Sequence, residues 1–525
     1  MKKYLFIALA AFAFAACEKP ADENNPQQNG ELEKSYVAIT LASDDMNTRA
    51  DDGKYEEGLD VERAVKSAYV FFFKDGAAFP VSFDGNTSTN AGPLNYIEVE
   101  LTGNQTNMDN VSDVKDAVLV LQNYNGEYPN QIVAVLNWEP ANQLYDLDVL
   151  RDVVCTLGND TNGYVMSNAV YADKNNDVVD AVALTADNIA KDAETAKKNP
   201  VKIYVERVAA KVVFSSDKGG KFEIATVNDT VDNTETTVYA QIKGFELYND
   251  YQTSYLIKNI NPAWNDLGFN WNDPDWFRSY WATSLIAAFP NNHFDWNNNN
   301  TPMEGYVYCG ENTRAWTKDA DVRTKVIIKA QLVDNAGNPV EVVNWYGKEY
   351  VGEGNLLKVV ANTLKNTYFF KNGNEYVGLT PADIKCVGRN PQDTNAFEVF
   401  FAISDNSKTK TWYKNLNGDY KEIELEVINK ELAEVQPALV YNEGMTYYWL
   451  DIKHLGAEGK TAEYGVVRNH VYKVNIADID GYGTPVYDGL TDFITPEQPK
   501  DINSFVAAQI NILSWRVVEG NYNVK

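Results

Sequence analysis

At 525 residues, with 46 Lys and Arg set against 74 Asp and Glu, the chain is too long for one ordinary core and, at a formal charge of −28, too acidic for nucleic acid or an anionic membrane surface as partner. Past its first residues no hydrophobic run approaches membrane-spanning length. Four cysteines cannot build a disulfide scaffold, so Cys155, Cys309 and Cys386 are expected as buried free thiols, with one pairing left open.

The chain starts with an export peptide. Lys2 and Lys3 supply positive charge, Leu5 to Phe14 the apolar stretch, and Ala15-Ala16-Cys17 a small-residue exit, the pattern of a bacterial lipoprotein signal in which Cys17 becomes the lipidated first residue. The alternative is an ordinary signal peptide with an incidental cysteine. Glu18 to Glu33, rich in Asn, Gln, Pro and acid, buries too little apolar area to fold and reads as a tether. Val37, Ile39 and Leu41 then alternate with Ala38, Thr40 and Ala42, the period of a strand. Polar residues surround Arg49-Ala50, a bond open to a trypsin-like protease; Arg63 is a second candidate.

Tyr69 to Phe73, Val118 to Leu121, Ile132 to Leu136, Val326 to Ile328 and Phe397 to Ile403 are apolar on both faces, as strands covered on both sides are. From Val201 to Phe214 the apolar phase shifts, predicting a bulge or strand end near Glu206-Arg207. Helical patterns are expected at Ala181 to Lys198 and Ser279 to Ala288, while Ile423, Leu425 and Val427, alternating with Glu422, Glu424 and Glu426, predict a strand. Asn259 to Thr301 is dense in Asn, Trp, Asp and Pro, which places a domain boundary near residue 260. The expected class is all-β with small helical insertions. The tail is striped: Ala508, Ile510 and Ile512, then Leu513, Trp515 and Val517 after a phase change.

No enzymatic chemistry stands out. The three histidines, His293, His454 and His470, lie in no metal-ligand pattern, and there is no CxxC, GxSxG, phosphate loop or dinucleotide fingerprint. No metal or cofactor is expected. A glycan hydrolase needs two facing carboxylates, and no pair can be named. Asp51-Asp52 and Asn270 to Asp275 lack the calcium-loop spacing and read first as solvated turns. Trp271, Trp276, Trp281 and Trp296 could stack on sugars, but loop aromatics folded onto a sandwich end is the better reading. Arg468 and His470 read as a packed, hydrogen-bonded pair.

A sheet that loses a strand exposes an apolar slot lined by unpaired backbone groups, which a strand from a second molecule can fill. Cutting at Arg49 would remove lipid, tether and first strand together, and the striped tail is a suitable donor. Burying four or five side chains at about 1.5 to 3 kcal/mol each gives a gross gain on the order of 6 to 15 kcal/mol. A head-to-tail contact that does not close makes a filament.

Several stretches together resemble the fimbrillins, or type V pilins, of Bacteroidia, in the branch of the short, Mfa-type fimbriae. They are the exported N-terminus, Glu56-Glu57-Gly58 with Phe71-Phe72-Phe73, Tyr164 to Asn168 (YVMSN), Val205 to Lys211 (VERVAAK), Tyr306 to Thr313 (YVYCGENT), Gly465 to Tyr472 (GVVRNHVY) and Ile510 to Trp515 (INILSW). The resemblance implies two β-sandwich-like (transthyretin-like) domains, 50–260 and 261–525, an outer-membrane lipoprotein precursor, cleavage by an Arg-specific protease, and fibre growth by strand exchange between identical subunits. By position, Cys17 would carry the lipid and Arg49-Ala50 the cut. Val37, Ile39 and Leu41 would form the expelled strand, and Ile510, Ile512, Leu513, Trp515 and Val517 the donor. Expected partners are further copies of the chain, accessory, tip and anchor subunits, and a surface receptor. The rival expectations are a tip or anchor subunit, or a non-polymerising surface lipoprotein that binds glycans.

Overall fold

The computed structural model describes residues 34–42, 58–81, 94–104, 114–122, 127–172, 178–259, 282–285, 289, 296, 301–314, 322–388, 398–454, 463–487, 505–513 and 518–520. They form an all-β chain with few helices, as its composition predicts.

The N-terminal sheet is built on β1 (Lys34–Ala42), followed by the short helix α1 (Asp60–Arg63) and by β2 (Ala68–Lys74), β3 (Val114–Gln122), β4 (Gln131–Leu136), β5 (Met166–Asn168) and β6 (Val201–Arg207). Its strands run in the order β2, β4, β5, β6, β1, β3, with short strands at both margins. Apolar residues on both faces of β2 and β4 bury the sheet on both sides. Val70, Phe72, Ile132, Ala134, Val201 and Ile203 share a core with Val37 and Ile39. On the opposite face, Phe71, Phe73, Val133 and Val135 pack with Tyr145, Leu150 and Val165. The expected strand end at Glu206-Arg207 is found, since β6 stops at Arg207.

After the two residues Val208 and Ala209 the chain enters a second architecture with β7 (Ala210–Ser216), β8 (Lys221–Asp229) and β9 (Thr234–Tyr248). Thr253–Tyr255 returns to pair with Val154–Thr156, and Leu256 and Ile257 sit in the N-terminal core. Residue 260, where a boundary is expected, follows this return, while β7 and β9 before it already pair with strands that come after it. Next come β10 (Tyr306–Cys309) and β11 (Lys325–Val333). The long helices are α2 (Glu353–Leu364) and α3 (Leu425–Ala433), and the chain ends in β12 (Met445–Asp451), β13 (Val471–Asp480), β14 (Phe505–Leu513) and β15 (Val518–Gly520). One sheet orders β10, β7, β13, β14, β15; the other orders β8, β9, β11, β12 and Thr484–Pro485. They make a sandwich filled by Val212, Phe214, Phe245, Ile328, Tyr472 and Val474, with Phe214 and Phe245 stacked at 4.7 Å.

β11 and β12 pair from Lys325↔Asp451 to Gln331↔Met445, so residues 334–444 emerge as one insertion from the end of a hairpin. The insertion has its own core of Leu356, Val360, Phe401, Trp412, Ile428 and Leu432 between α2, α3 and two small sheets.

Two local expectations are corrected. Ala181 to Lys198 is not one helix: Ile189–Ala190 pairs with β1, and the helical turns are confined to a 3-10 turn at Ala186–Asn188 and to Ala193–Ala196, where Asp192 caps the Thr195 amide. The strand expected through Val427 ends at Ile423, because Leu425, Ile428 and Leu432 fall on one helical face; Ile428 and Leu432 are buried while Val427 is 46% exposed. Ser279 to Ala288 lies outside the described residues except for 282–285.

Candidate assembly site

The candidate site is the place of β1 in its sheet. β1 pairs antiparallel with β3 along its whole length, from Lys34↔Gln122 to Ala42↔Val114. On its other edge it runs parallel to β6, from Ile39↔Val201 to Ala42↔Tyr204, and meets Ile189–Ala190 at Val37 and Tyr36. It is therefore an interior strand. Val37 and Ile39 are 0% and 1% exposed, and Ala38, on the other face, is buried as well. The backbone of Leu41 lies opposite Ile203 and Lys115.

Taking β1 away would unpair the facing edges of β3 and β6 and open an apolar trough beside Leu119, Leu121, Val201 and Ile203. Such unpaired edges invite a replacement strand.

The C-terminal stripe occupies a different sheet. β14 pairs with β13 through Ile510↔Val474, Ile512↔Tyr472 and Leu513↔Val471, with an irregularity at Ile476/Asp478. It turns back through β15, which pairs Ile512↔Val518 and Ile510↔Gly520. β1 and β14 are thus in separate sheets, each internally paired. Cys17, Arg49, Ala50, Trp515 and Val517 lie outside the described residues, as do Trp271, Trp276, Trp281, Asp51, Asp52 and Asn270 to Asp275. Trp296 donates its indole N–H to the Thr446 carbonyl at 3.1 Å, with the Lys329 ammonium 4.5 Å from its ring centre. It is folded onto the strand framework, as loop aromatics are expected to be.

Between the two sheet systems lies a seam of buried charge at the β6–β7 crossover. Glu62 of α1 is fully buried; its carboxylate accepts from the Leu59 amide at 2.7 Å, the Lys211 ammonium at 2.6 Å and the Tyr308 hydroxyl. Burial pushes the Glu62 carboxyl up, but the hydrogen bonds from Lys211, Tyr308 and Leu59 outweigh it and hold it below the usual range. The same carboxylate, with burial, drives the Tyr308 hydroxyl well above its ordinary value. Arg207 donates to the Glu62 carbonyl at 2.7 Å and to the Asn469 side chain at 3.2 Å.

Beside them, Lys258 meets Glu206 at 3.1 Å with both side chains fully buried. Arg468 meets Glu311 at 2.7 Å and also donates to Ser254 Oγ and to the carbonyls of Tyr255 and Leu256. His470 Nδ1 lies 2.8 Å from the Arg468 carbonyl, so the two residues are packed and hydrogen-bonded as expected. Among the described residues no group of His, Cys, Asp and Glu is placed to hold a metal. Cys155, Cys309 and Cys386 are free and buried.

Sequence reading missed Glu62, Lys211, Tyr308 and Glu311 as partners. The only signal was charge inside or beside apolar stretches, as in Val205 to Lys211, and it named no partner.

No curated protein matches the chain. A proposed cell adhesion protein of Parabacteroides distasonis is similar in structure at 13% identity and TM-score 0.35, covering 90% of this chain and 95% of that one. A second, from Bacteroides eggerthii, is 11% identical with TM-score 0.32, covering 92% and 97%. Residues 439–521 match the family described as major fimbrial subunit protein type IV, fimbrillin, C-terminal. That stretch contains β12 to β15, the striped tail and the strand it pairs with, and over it the chain is similar to a fimbrillin C-terminal region.

Proposed function

We propose that the chain is a structural, non-enzymatic shaft subunit of a cell-surface fimbria that serves adhesion and biofilm formation. It is exported as an outer-membrane lipoprotein through Cys17 and cut by an Arg-specific protease at Arg49-Ala50. The cut frees β1 with the lipid and tether. The C-terminal segment of another copy, with Ile510, Ile512, Leu513, Trp515 and Val517, then enters the vacated place between β3 and β6. Residues up to the β6–β7 crossover, with the return at Thr253–Ile257, form the acceptor domain, and the sandwich with its insertion forms the donor domain. Accessory, tip and anchor subunits are the remaining partners.

One observation carries this reading. The strand expected to leave is an interior strand, hydrogen-bonded on both edges, and the residues before it have the composition expected of a tether. Losing an interior strand leaves two open edges, which only a whole strand can close. Support for a structural role comes from the fimbrillin match at 439–521.

The test is to treat purified precursor with an Arg-specific protease and follow assembly on non-boiled gels and by electron microscopy. Filaments should form from the cut chain, and a chain ending at Pro499 should be cut normally but stay monomeric. Filaments from that shortened chain would sink the donor assignment. Polymer that still carries Cys17 and β1 would sink the proposal as a whole.

A further inference from the structure

We infer that α1 is a clasp closing the seam between acceptor and donor domains, and that Glu62 is the positioning residue that keeps this clasp shut and the Arg63–Ala64 bond beyond protease reach. The inference rests on the proposed maturation by an Arg-specific protease.

α1 is only four residues long and draws little stability from its own hydrogen bonds. What fixes it is the seam. Through Glu62 it touches β7 at Lys211 and β10 at Tyr308, and through its backbone carbonyl it takes a hydrogen bond from Arg207 at the end of β6. One residue thus ties both sheet systems together across the two-residue crossover Val208-Ala209.

The chemistry is unforgiving. Lys211 is 10% exposed and Glu62 fully buried, so removing either charge strands the other in a low-dielectric seam. Buried ion pairs add little net stability over apolar residues of similar shape, but a broken one is costly; such pairs therefore specify an arrangement rather than merely strengthen it. Two further buried pairs, Lys258–Glu206 and Arg468–Glu311, border the same crossover and hold it against the Thr253–Ile257 return. A strand exchanged beside β6 would pull on this crossover directly, because β6 runs into β7, β7 pairs with β13, and β13 holds β14.

The clasp also divides the N-terminus into an expendable and an indispensable part. Residues up to β1 can leave with the propeptide, whereas a cut after Arg63 would take away the Glu62 carboxylate and leave Lys211 uncompensated. Arg63 belongs to a helical turn, its guanidinium pairs with Asp60, and its side chain is 18% exposed. A protease that needs an extended substrate can reach this bond only after α1 opens locally.

The experiment uses the full-length precursor and an Arg-specific protease under native conditions, with cleavage after Arg49 and after Arg63 timed separately by intact mass. In the unsubstituted chain, cutting after Arg63 should lag far behind cutting after Arg49. Glu62→Gln should speed the Arg63 cut at least about tenfold, the effect of leaving one buried charge unpaired. Glu62→Gln/Lys211→Met should keep the fast Arg63 cut yet recover part of the thermal stability lost by the single variant. Tyr308→Phe removes one donor and leaves the ion pair, so it should give an intermediate rate if Glu62→Gln does not fold. Equal rates after Arg63 in the unsubstituted chain and in both Glu62→Gln and Tyr308→Phe would overturn the clasp, as would a native subunit that starts at Ala64 and remains folded. These readouts concern the monomer: if the rates order as expected but cut chains never assemble, the clasp stands and the fimbrial reading falls.

Discussion

Replacing Val37 and Ile39 by alanine in the uncut precursor trims the two β1 side chains that lie in the N-terminal core at 0% and 1% exposure. An Ile→Ala change at a site that cannot collapse costs about 2 to 5 kcal/mol. Val37 loses two methyl groups, about 1.6 kcal/mol at about 0.8 each, before any cavity term. The two residues stand two apart on one strand face and share neighbours, so their effects add incompletely. A combined loss of about 3 to 6 kcal/mol is expected. For a domain of this size each kcal/mol lowers the transition by about 2 to 4 °C, so the N-terminal transition should fall by about 6 to 24 °C. Calorimetry and urea titration of the precursor measure it directly. On the proposed maturation, the same substitutions should leave fibres unchanged once the protease has acted, because the mature chain would no longer contain either residue, and assembly should start sooner because the weakened strand would leave faster. An unchanged midpoint would show that β1 is not a load-carrying part of the sheet; fibres of altered stability would show that β1 is never discarded.

Stability should also fall in acid. The Glu62 carboxyl is held below its ordinary value in the folded chain, so its contribution is complete above about pH 4.5 and is lost as pH drops through the lowered folded value. A pH titration of the denaturation midpoint should show this decline, flattened in Glu62→Gln. Asp383 behaves in the same sense within the insertion: burial raises its carboxyl, but Lys410, Thr380 and Ser407 lower it further, so its contribution to the insertion is complete above about pH 3.8 and is lost as pH drops through the lowered folded value. Burial pushes the Cys155 thiol up to about 11 and those of Cys309 and Cys386 higher still. In a Cys17→Ser precursor none of the three should react with a thiol reagent at neutral pH within minutes, and all three should in denaturant; prompt labelling of the native chain would refute the burial. Arg468→Met should cost about 3 to 5 kcal/mol, since Glu311 and three further acceptors lose their donor, and adding Glu311→Leu should restore part of it.

Much of this was legible from local pattern. Period-2 alternation marked β1, two-sided apolar runs marked β2 and β4, and the phase shift at Glu206-Arg207 marked the end of β6. Each is a property of one short segment, which sequence displays directly. Alternation failed where two periods coincide: Ile423 to Val427 satisfies a strand, and only Ile428 and Leu432 further on reveal the helical face.

What tertiary structure alone decided is who meets whom. The sequence determined that Val37 to Ala42 is a strand with a dry face and that the tail is striped; nothing local placed the former between β3 and β6, antiparallel to the first and parallel to the second, or the latter against β13. Nor did it pair Glu62 with Lys211, 149 residues away, or Arg468 with Glu311, 157 away. The physical reason is that a side-chain period reports which face is dry, whereas partners are chosen by the joint requirement that every buried edge and every buried charge be satisfied at once. That requirement is a property of the whole assembled core and has no counterpart in any single stretch of chain.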